Sequence, residues 1–136
     1  MALLAGMTTL AEPAKVSSNL SDMDFEVGEK AYTSGDYIWT EIPEDLRGFG
    51  ITRWSLGCGS SLDLKVKKPG TVYLVVARME VSGLKETGWE EIGQAKCDSD
   101  GDCKYPLAVI MSKEFEEKAK LTFKPSTIQG IRLLIP

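Results

Sequence analysis

The sequence predicts an all-β protein, a sandwich of two antiparallel sheets built from about seven to nine short strands. Short apolar segments recur about every ten residues from Phe25 onward, bounded by Gly, Pro, Asn, Asp and Ser. Residues 61–66 alternate between polar and apolar side chains, as expected of a half-buried strand. Residues 71–77 are apolar at almost every position, which predicts a central strand covered on both faces.

The turn residues place the other strands in order. A first strand begins at Phe25 and turns at Gly28. An aromatic strand over residues 37–42 ends at Pro43, because proline cannot donate a hydrogen bond to a neighbouring strand. Proline also favours a single helical turn directly after it. Residues 113–120 have helix-forming composition; we favour a hairpin here, with a short helix as the alternative. Further strands are predicted over residues 49–54, 107–111, 121–123 and 131–135.

The chain is predicted to divide into a leader or disordered segment, residues 1–22, and a sandwich domain, residues 23–136. Residues 1–14 carry no charge before Glu12 and contain Thr-Leu-Ala, a small-residue sequence typical of signal-peptide cleavage sites. We therefore favour the remnant of an export signal, which implies a secreted, periplasmic or cell-surface protein. No apolar run reaches the roughly 18 residues of a membrane span.

Composition argues against several classes of function. The chain has no histidine, which excludes Ser-His-Asp and Cys-His catalysis and the common zinc sites. Its net charge of −4 argues against nucleic-acid binding. The adjacent carboxylates at 44–45 and 90–91 would point to opposite faces of a strand, unlike the paired carboxylates of a glycosidase. We therefore expect that the protein is not an enzyme. The remaining catalytic alternative is a small lyase that uses a carboxylate or a tyrosine.

Two motifs, in the order in which they occur, resemble a known family of domains. The sequence Ile-Pro-x-x-Leu-x-Gly occupies residues 42–48, and Pro-x-Thr-Val-Tyr-Leu-Val occupies residues 69–75. This order is similar to that of a β-sandwich accessory domain attached to sialidases, polysaccharide lyases and other secreted bacterial glycan-active proteins. The resemblance covers most of residues 28–125 and implies a jelly-roll or galactose-binding-like sandwich with a non-catalytic role. The sequence departs from the family pattern at two places. The loop immediately before the aromatic strand, residues 34–36, reads Ser-Gly-Asp and differs from the loop of the family. The valine-rich strand is not followed by the usual Asp-x-Arg-like loop, whose arginine Arg78 could replace.

Aromatic and basic side chains supply the candidate glycan contacts. Trp89 follows Thr-Gly and precedes two glutamates, a polar and loop-like context, and an indole offers flat apolar area to a sugar ring. Trp54 is a second candidate. Arg53 and Arg78 lie at predicted strand ends, where each could hold a sugar carboxylate through two hydrogen bonds. The alternatives are burial in the core for the tryptophans and an ion pair with a nearby glutamate for the arginines.

Cys97 and Cys103 enclose three alternating aspartates, Asp98, Asp100 and Asp102. In an exported protein the two cysteines would form a disulfide. The carboxylates have the alternate spacing of calcium-binding loops, but the bidentate glutamate of an EF-hand is missing. Two expectations follow: a solvated disulfide hairpin tip, which we favour, and a looser calcium clip.

These observations together predict a non-catalytic, carbohydrate-associated accessory or binding module. It would bind a glycan, or brace a partner enzyme or surface protein, through the loops at the ends of the sandwich. The alternative is a structural or protein-interaction sandwich that binds no glycan.

Overall fold

A computed structural model of the chain describes residues 12–34, 36–54, 61–98, 107–125 and 130–136. They form an antiparallel β-sandwich of two sheets, so the predicted fold class is confirmed. The strands are β1 (Lys15–Ser18), β2 (Asp22–Phe25), β3 (Ile38–Glu41), β4 (Phe49–Thr52), β5 (Leu62–Lys68), β6 (Gly70–Val76), β7 (Glu90–Asp98), β8 (Leu107–Phe115), β9 (Ala119–Phe123) and β10 (Ile131–Ile135). One helix, α1 (Val81–Glu86), and two 3-10 turns, Glu44–Leu46 and Arg78–Glu80, complete the described secondary structure.

The larger sheet has seven strands in the order β2-β4-β10-β6-β8-β7-β3. The sheet curls so that its two end strands come together, and the chain after β2 runs beside β3. There the Gly28 amide donates to the Trp39 carbonyl at 2.9 Å, and the Trp39 amide donates to the Glu29 carbonyl at 3.0 Å. The rings of Phe25 and Trp39 also meet edge to face, with centroids 5.1 Å apart. The larger sheet is therefore close to a closed barrel.

Two apolar clusters stabilise the fold, one inside the curled sheet and one between its outer face and the smaller sheet, β1-β5-β9. Strand β6 serves both, with Tyr73 facing the first cluster and Leu74 the second. Strand β5 buries Leu62 and Leu64 in the second cluster and exposes Asp63. The predicted two-sided burial of β6 and the in-out alternation of β5 are both confirmed.

The ordered fold begins earlier in the chain than predicted. Strand β1 pairs antiparallel with β5. Just before it, Ala14 is buried and its amide donates to the Thr71 carbonyl at 2.9 Å. The expectation that residues 12–22 belong to a leader is therefore wrong, because these residues contribute backbone pairing and core contacts to the sandwich. Residues 1–11 lie outside the described part of the chain, so the export signal stays a prediction.

The connection between β8 and β9 differs from the predicted hairpin. Residues 113–115 continue β8 and residues 119–120 begin β9, so the short-helix alternative is excluded. The two strands do not pair with each other, however: β8 lies between β6 and β7 in the larger sheet, and β9 pairs with β5 in the smaller one. The connection is an arch between the two layers.

Helix α1 is an element that the sequence did not predict. Its six residues bury only Val81 and Leu84, both against the second apolar cluster. None of the helices in the described ranges is long and apolar enough to cross a membrane. A cleft opens beside this helix.

Gly130 precedes β10 and lies against the indole of Trp54. Its φ of 76° is in the left-handed region, and a Cβ at this position would lie 2.5 Å from Cε2 of Trp54. The side chain of Trp54 is 2% exposed. Only glycine fits this contact without displacing the indole.

Arg132 on β10 is a fully buried cation. Its Nε donates to the Thr52 carbonyl at 3.0 Å, and Nη1 donates to the Ala31 carbonyl. The guanidinium carbon lies 5.0 Å from the centroid of the Tyr32 ring. None of the ion pairs among the described residues includes Arg132. Burial lowers the pKa of Arg132 to about 10, so the group remains charged at neutral pH.

Candidate functional site

A cleft of about 370 Å³ opens beside α1 and is bordered by residues of β8, β9 and β10. We call it the α1 cleft. Trp89 lines it, and its ring meets those of Phe115 and Phe123 edge to face, with both centroid distances 6.0 Å. Charged side chains also line the cleft, namely Glu80, Lys113 and Lys124. A volume of this size falls within the usual range for small-ligand pockets.

Local backbone structure shapes the cleft on the helix side. Gly88 adopts a φ of 95° after α1 and reverses the chain, as left-handed residues do at helix ends. The Trp89 amide then donates to the Leu84 carbonyl at 3.2 Å. Lys113 Nζ donates to the Thr87 carbonyl at 2.7 Å, which ties the helix end to β8. The cleft therefore combines an apolar wall with hydroxyl, carboxylate and ammonium groups, a combination suited to a sugar ring.

For Trp89 and Trp54 the structure shows the alternative to a surface role, burial in the core. Trp89 is 3% exposed and belongs to the second apolar cluster, and Trp54 is buried to a similar degree in the first. A buried indole cannot offer its face to a sugar, so neither residue is a surface platform. The two lie on opposite faces of the larger sheet, and they do not share a site.

Arg78 forms the ion pair that was the alternative to a sugar clamp. Its two terminal nitrogens donate to the two carboxylate oxygens of Glu91 at 2.8 and 3.0 Å. These hydrogen bonds hold the pKa of Glu91 below its ordinary value. Lys85 Nζ lies 3.9 Å from the same carboxylate. Arg53 is exposed and makes no ion pair with a described residue.

The acidic loop lies mostly beyond the described residues. Asp98 ends β7 and is exposed, whereas Asp100, Asp102 and Cys103 fall outside the described ranges. Cys97 is buried at 3% in the first apolar cluster. Among the residues that the structure describes, no group of three or more acidic, His or Cys side chains could hold a metal. The calcium clip and the disulfide stay predictions.

Sequence reasoning missed most of the α1 cleft. Leu84, Thr87, Lys113 and Phe123 come from three separate parts of the chain and converge only through sheet pairing. Their spacing in sequence has no period that would link them. The one local signal is the Gly-Trp step at 88–89, which by itself indicates a loop.

Comparison with known proteins gives a similarity of fold. No protein-family model matches the chain, and no curated protein matches it in sequence. Among solved structures, the chain is similar to part of a GH138 enzyme targeting pectin rhamnogalacturonan II, with a TM-score of 0.67 and 15% sequence identity. The match covers 97% of this chain and 17% of that one, so this chain spans less than a fifth of the enzyme's length.

Proposed function

We propose that this chain is a non-catalytic accessory module of an exported, glycan-active protein, and that it binds glycan in the α1 cleft. The observation that carries the proposal is the similarity of fold between 97% of this chain and a 17% part of a glycoside hydrolase. A β-sandwich that forms a small part of a large enzyme is suited to a supporting role beside the catalytic region. The export of the protein rests on the N-terminal sequence alone.

The chemistry of the α1 cleft supports a glycan as the ligand. A sugar ring has apolar faces and a polar rim, so it is best held by an apolar surface bordered by hydrogen-bonding groups. Leu121 and Phe123, which are half-buried, supply apolar surface, while Thr87 and Lys124 supply polar groups.

A cleft-filling variant tests the proposal. Gly83 lines the cleft and a Cβ there would meet no atom within 4 Å, so the side chain of Gly83→Trp begins in open space at the cleft. Ser82→Trp, on an exposed neighbouring position of the same helix, is the matched control. Retardation in affinity gels and calorimetric titration would be measured against a panel of neutral and acidic plant polysaccharides. We expect Gly83→Trp to abolish retardation by the neutral glycan that the wild type binds and Ser82→Trp to retain it.

Two other outcomes would change the assignment. Retention of binding by Gly83→Trp would remove the α1 cleft as the site but leave the module a glycan binder. Silence of the wild-type chain across the whole panel would contradict glycan binding and favour a structural or protein-interaction sandwich.

A further inference from the structure

Four lysines lie on the outer side of the smaller sheet. Lys65 and Lys67 belong to β5, Lys120 belongs to β9, and Lys118 directly precedes β9. Together with Val66 and Ala119 they line a hollow of about 420 Å³, and we call the four lysines the lysine face. None of the four makes an ion pair with a described residue. The concentration of positive charge contrasts with the chain's net charge of −4.

The strand register brings these like charges close together. Lys65 is directly opposite Lys120, and residues opposite each other in antiparallel strands have Cα atoms roughly 4.5–5.5 Å apart. Lys67 and Lys118 follow at a distance of about 7 Å along the strands, since outward side chains repeat every second residue. Like charges placed opposite each other destabilise a sheet. The arrangement is therefore unfavourable in the absence of an anion.

Protection of a sheet edge does not account for the whole cluster. Lysines on edge strands discourage pairing between molecules, which explains Lys118 and Lys120. Lys65 and Lys67, however, lie on β5, which is the central strand and pairs on both sides. Their accumulation beside the edge lysines needs another reason, and an anionic ligand supplies one.

A second, polar hollow of about 310 Å³ adjoins the first and shares Lys65 with it. It is lined by Ser17, Ser18, Asn19 and Asp63. Ser17 lies opposite Lys65 on β1, and its hydroxyl makes no hydrogen bond with the described residues. The two hollows together cross all three strands of the smaller sheet, with ammonium groups on one side and hydroxyl, amide and carboxylate groups on the other.

We propose that this surface binds a carboxylated polysaccharide. The ammonium groups of the lysine face pair with carboxylates of the sugar units, and the polar hollow receives ring hydroxyls. Charge-assisted hydrogen bonds of this type are stronger than neutral ones. This inference rests on the proposed glycan-binding function and names the class of glycan, and it places that glycan on a different surface from the α1 cleft.

The two adjoining hollows favour a glycan over other polyanions. An acidic peptide carries carboxylates but no ring hydroxyls for the polar hollow. A nucleic acid is bound through stacked bases as well as phosphates, and among the described residues neither hollow is lined by an aromatic side chain on which a base could stack. A polyuronate carries both a carboxylate and several hydroxyls on every unit.

The experiment compares two forms of one polymer. Polygalacturonate and its fully methyl-esterified form share a sugar backbone and differ in charge, so the pair isolates the role of the carboxylate. Lys65→Gln/Lys120→Gln removes two charges from the lysine face. Lys30→Gln/Lys96→Gln removes two exposed charges from the β3 end of the larger sheet, one of which, on Lys96, pairs with Glu41, and is the control for lost charge outside the lysine face. Affinity is measured by calorimetry at low and physiological salt.

We expect the wild type to bind the esterified polymer at least about tenfold more weakly than the charged polymer. The Lys65→Gln/Lys120→Gln variant should bind the charged polymer at least about tenfold more weakly than the wild type does. The control variant should stay within about twofold. The lysine-face variant should melt at or above the wild-type temperature, because its mutual repulsion is reduced. That measurement separates lost binding from lost folding.

Three results would overturn the inference. Equal affinity for the charged and esterified polymers would show that the lysine face does not bind the sugar carboxylates. Neutral-glycan binding in the α1 cleft would be unaffected by that result. Equal losses in the two double variants would show a non-specific charge effect. Equal competition by polyglutamate would show a general polyanion surface rather than a glycan site. Failure of the proposed function gives a different result, because in that case the chain binds neither neutral nor carboxylated glycans.

Discussion

Arg132 is held by backbone carbonyls rather than by a carboxylate among the described residues. The Thr52 and Ala31 carbonyls accept its hydrogen bonds, and they come from β4 and from the segment that precedes β3. One side chain on β10 thereby links three parts of the larger sheet. A buried cation with this geometry is costly to desolvate, and removal of the cation leaves buried acceptors without their donor.

We therefore expect Arg132→Met to lower the free energy of unfolding by about 2–4 kcal/mol. The reason is the loss of donors to two carbonyls, only partly offset by relief of the desolvation cost. Urea unfolding measures the change, with Arg53→Met as an exposed control on a neighbouring strand end. A variant as stable as the wild type would show that the cation is dispensable for folding.

Single residues were the least predictable level from sequence. Trp89 has glycine before it and two glutamates after it, and every local signal indicates a loop. Its burial is decided by Phe115 and Phe123, which are distant in sequence and reach it through β8 and β9. Arg78 was easier to predict, because glutamates are abundant nearby and one of them, Glu91, forms the pair.

At the scale of elements, periodicity predicted the strands that have one buried face. Strand β5 alternates strictly and was found with the correct orientation. Strand β1 was missed because its sequence, Lys-Val-Ser-Ser, contains a single apolar residue and resembles a polar leader. Its pairing with β5 provides the stabilisation that its composition does not indicate. Helix α1 has only six residues, too few to establish a helical period.

The role of β1 can be tested by truncation. A chain beginning at residue 23 loses β1 and the contacts of Ala14, and we expect it to melt about 10 °C or more below a chain beginning at residue 12. The comparison isolates residues 12–22, because both chains lack residues 1–11. Thermal unfolding followed by circular dichroism gives the difference. Coincident melting curves would show that β1 contributes nothing to stability.

At the scale of the whole molecule, the sandwich was predictable and the strand order was not. Alternating segments separated by turn residues define the class of fold. Which strand pairs with which depends on contacts distant in sequence, such as Trp39 opposite Cys97. The meeting of the first and last strands of the larger sheet could not be predicted either, because it depends on how far the whole sheet curls.

Acid should weaken the molecule through two exposed ion pairs. Hydrogen bonds from Arg47 and Arg78 hold the pKa values of Glu26 and Glu91 below their ordinary value of 4.5. A carboxyl with a depressed folded pKa stabilises above its unfolded pKa and loses that contribution as the pH falls through the folded value. Both groups are well solvated, so we expect a small effect.

We expect Glu26→Gln/Glu91→Gln to show a flatter dependence of stability on pH between about 5 and 3 than the wild type. Urea midpoints across this range provide the measurement. Glu116→Gln/Glu117→Gln is the control, because neither glutamate makes an ion pair with a described residue. Parallel curves for the wild type and the first variant would contradict the assignment.

The contact between Gly130 and Trp54 limits how this fold can vary. A larger residue at 130 would collide with the indole and would also need an unfavourable backbone angle. A smaller residue at 54 would clear the collision yet leave a void beside β10 and the backbone angle unchanged. Neither substitution rescues the other completely. Divergence at these two positions is therefore constrained to one inherited pair.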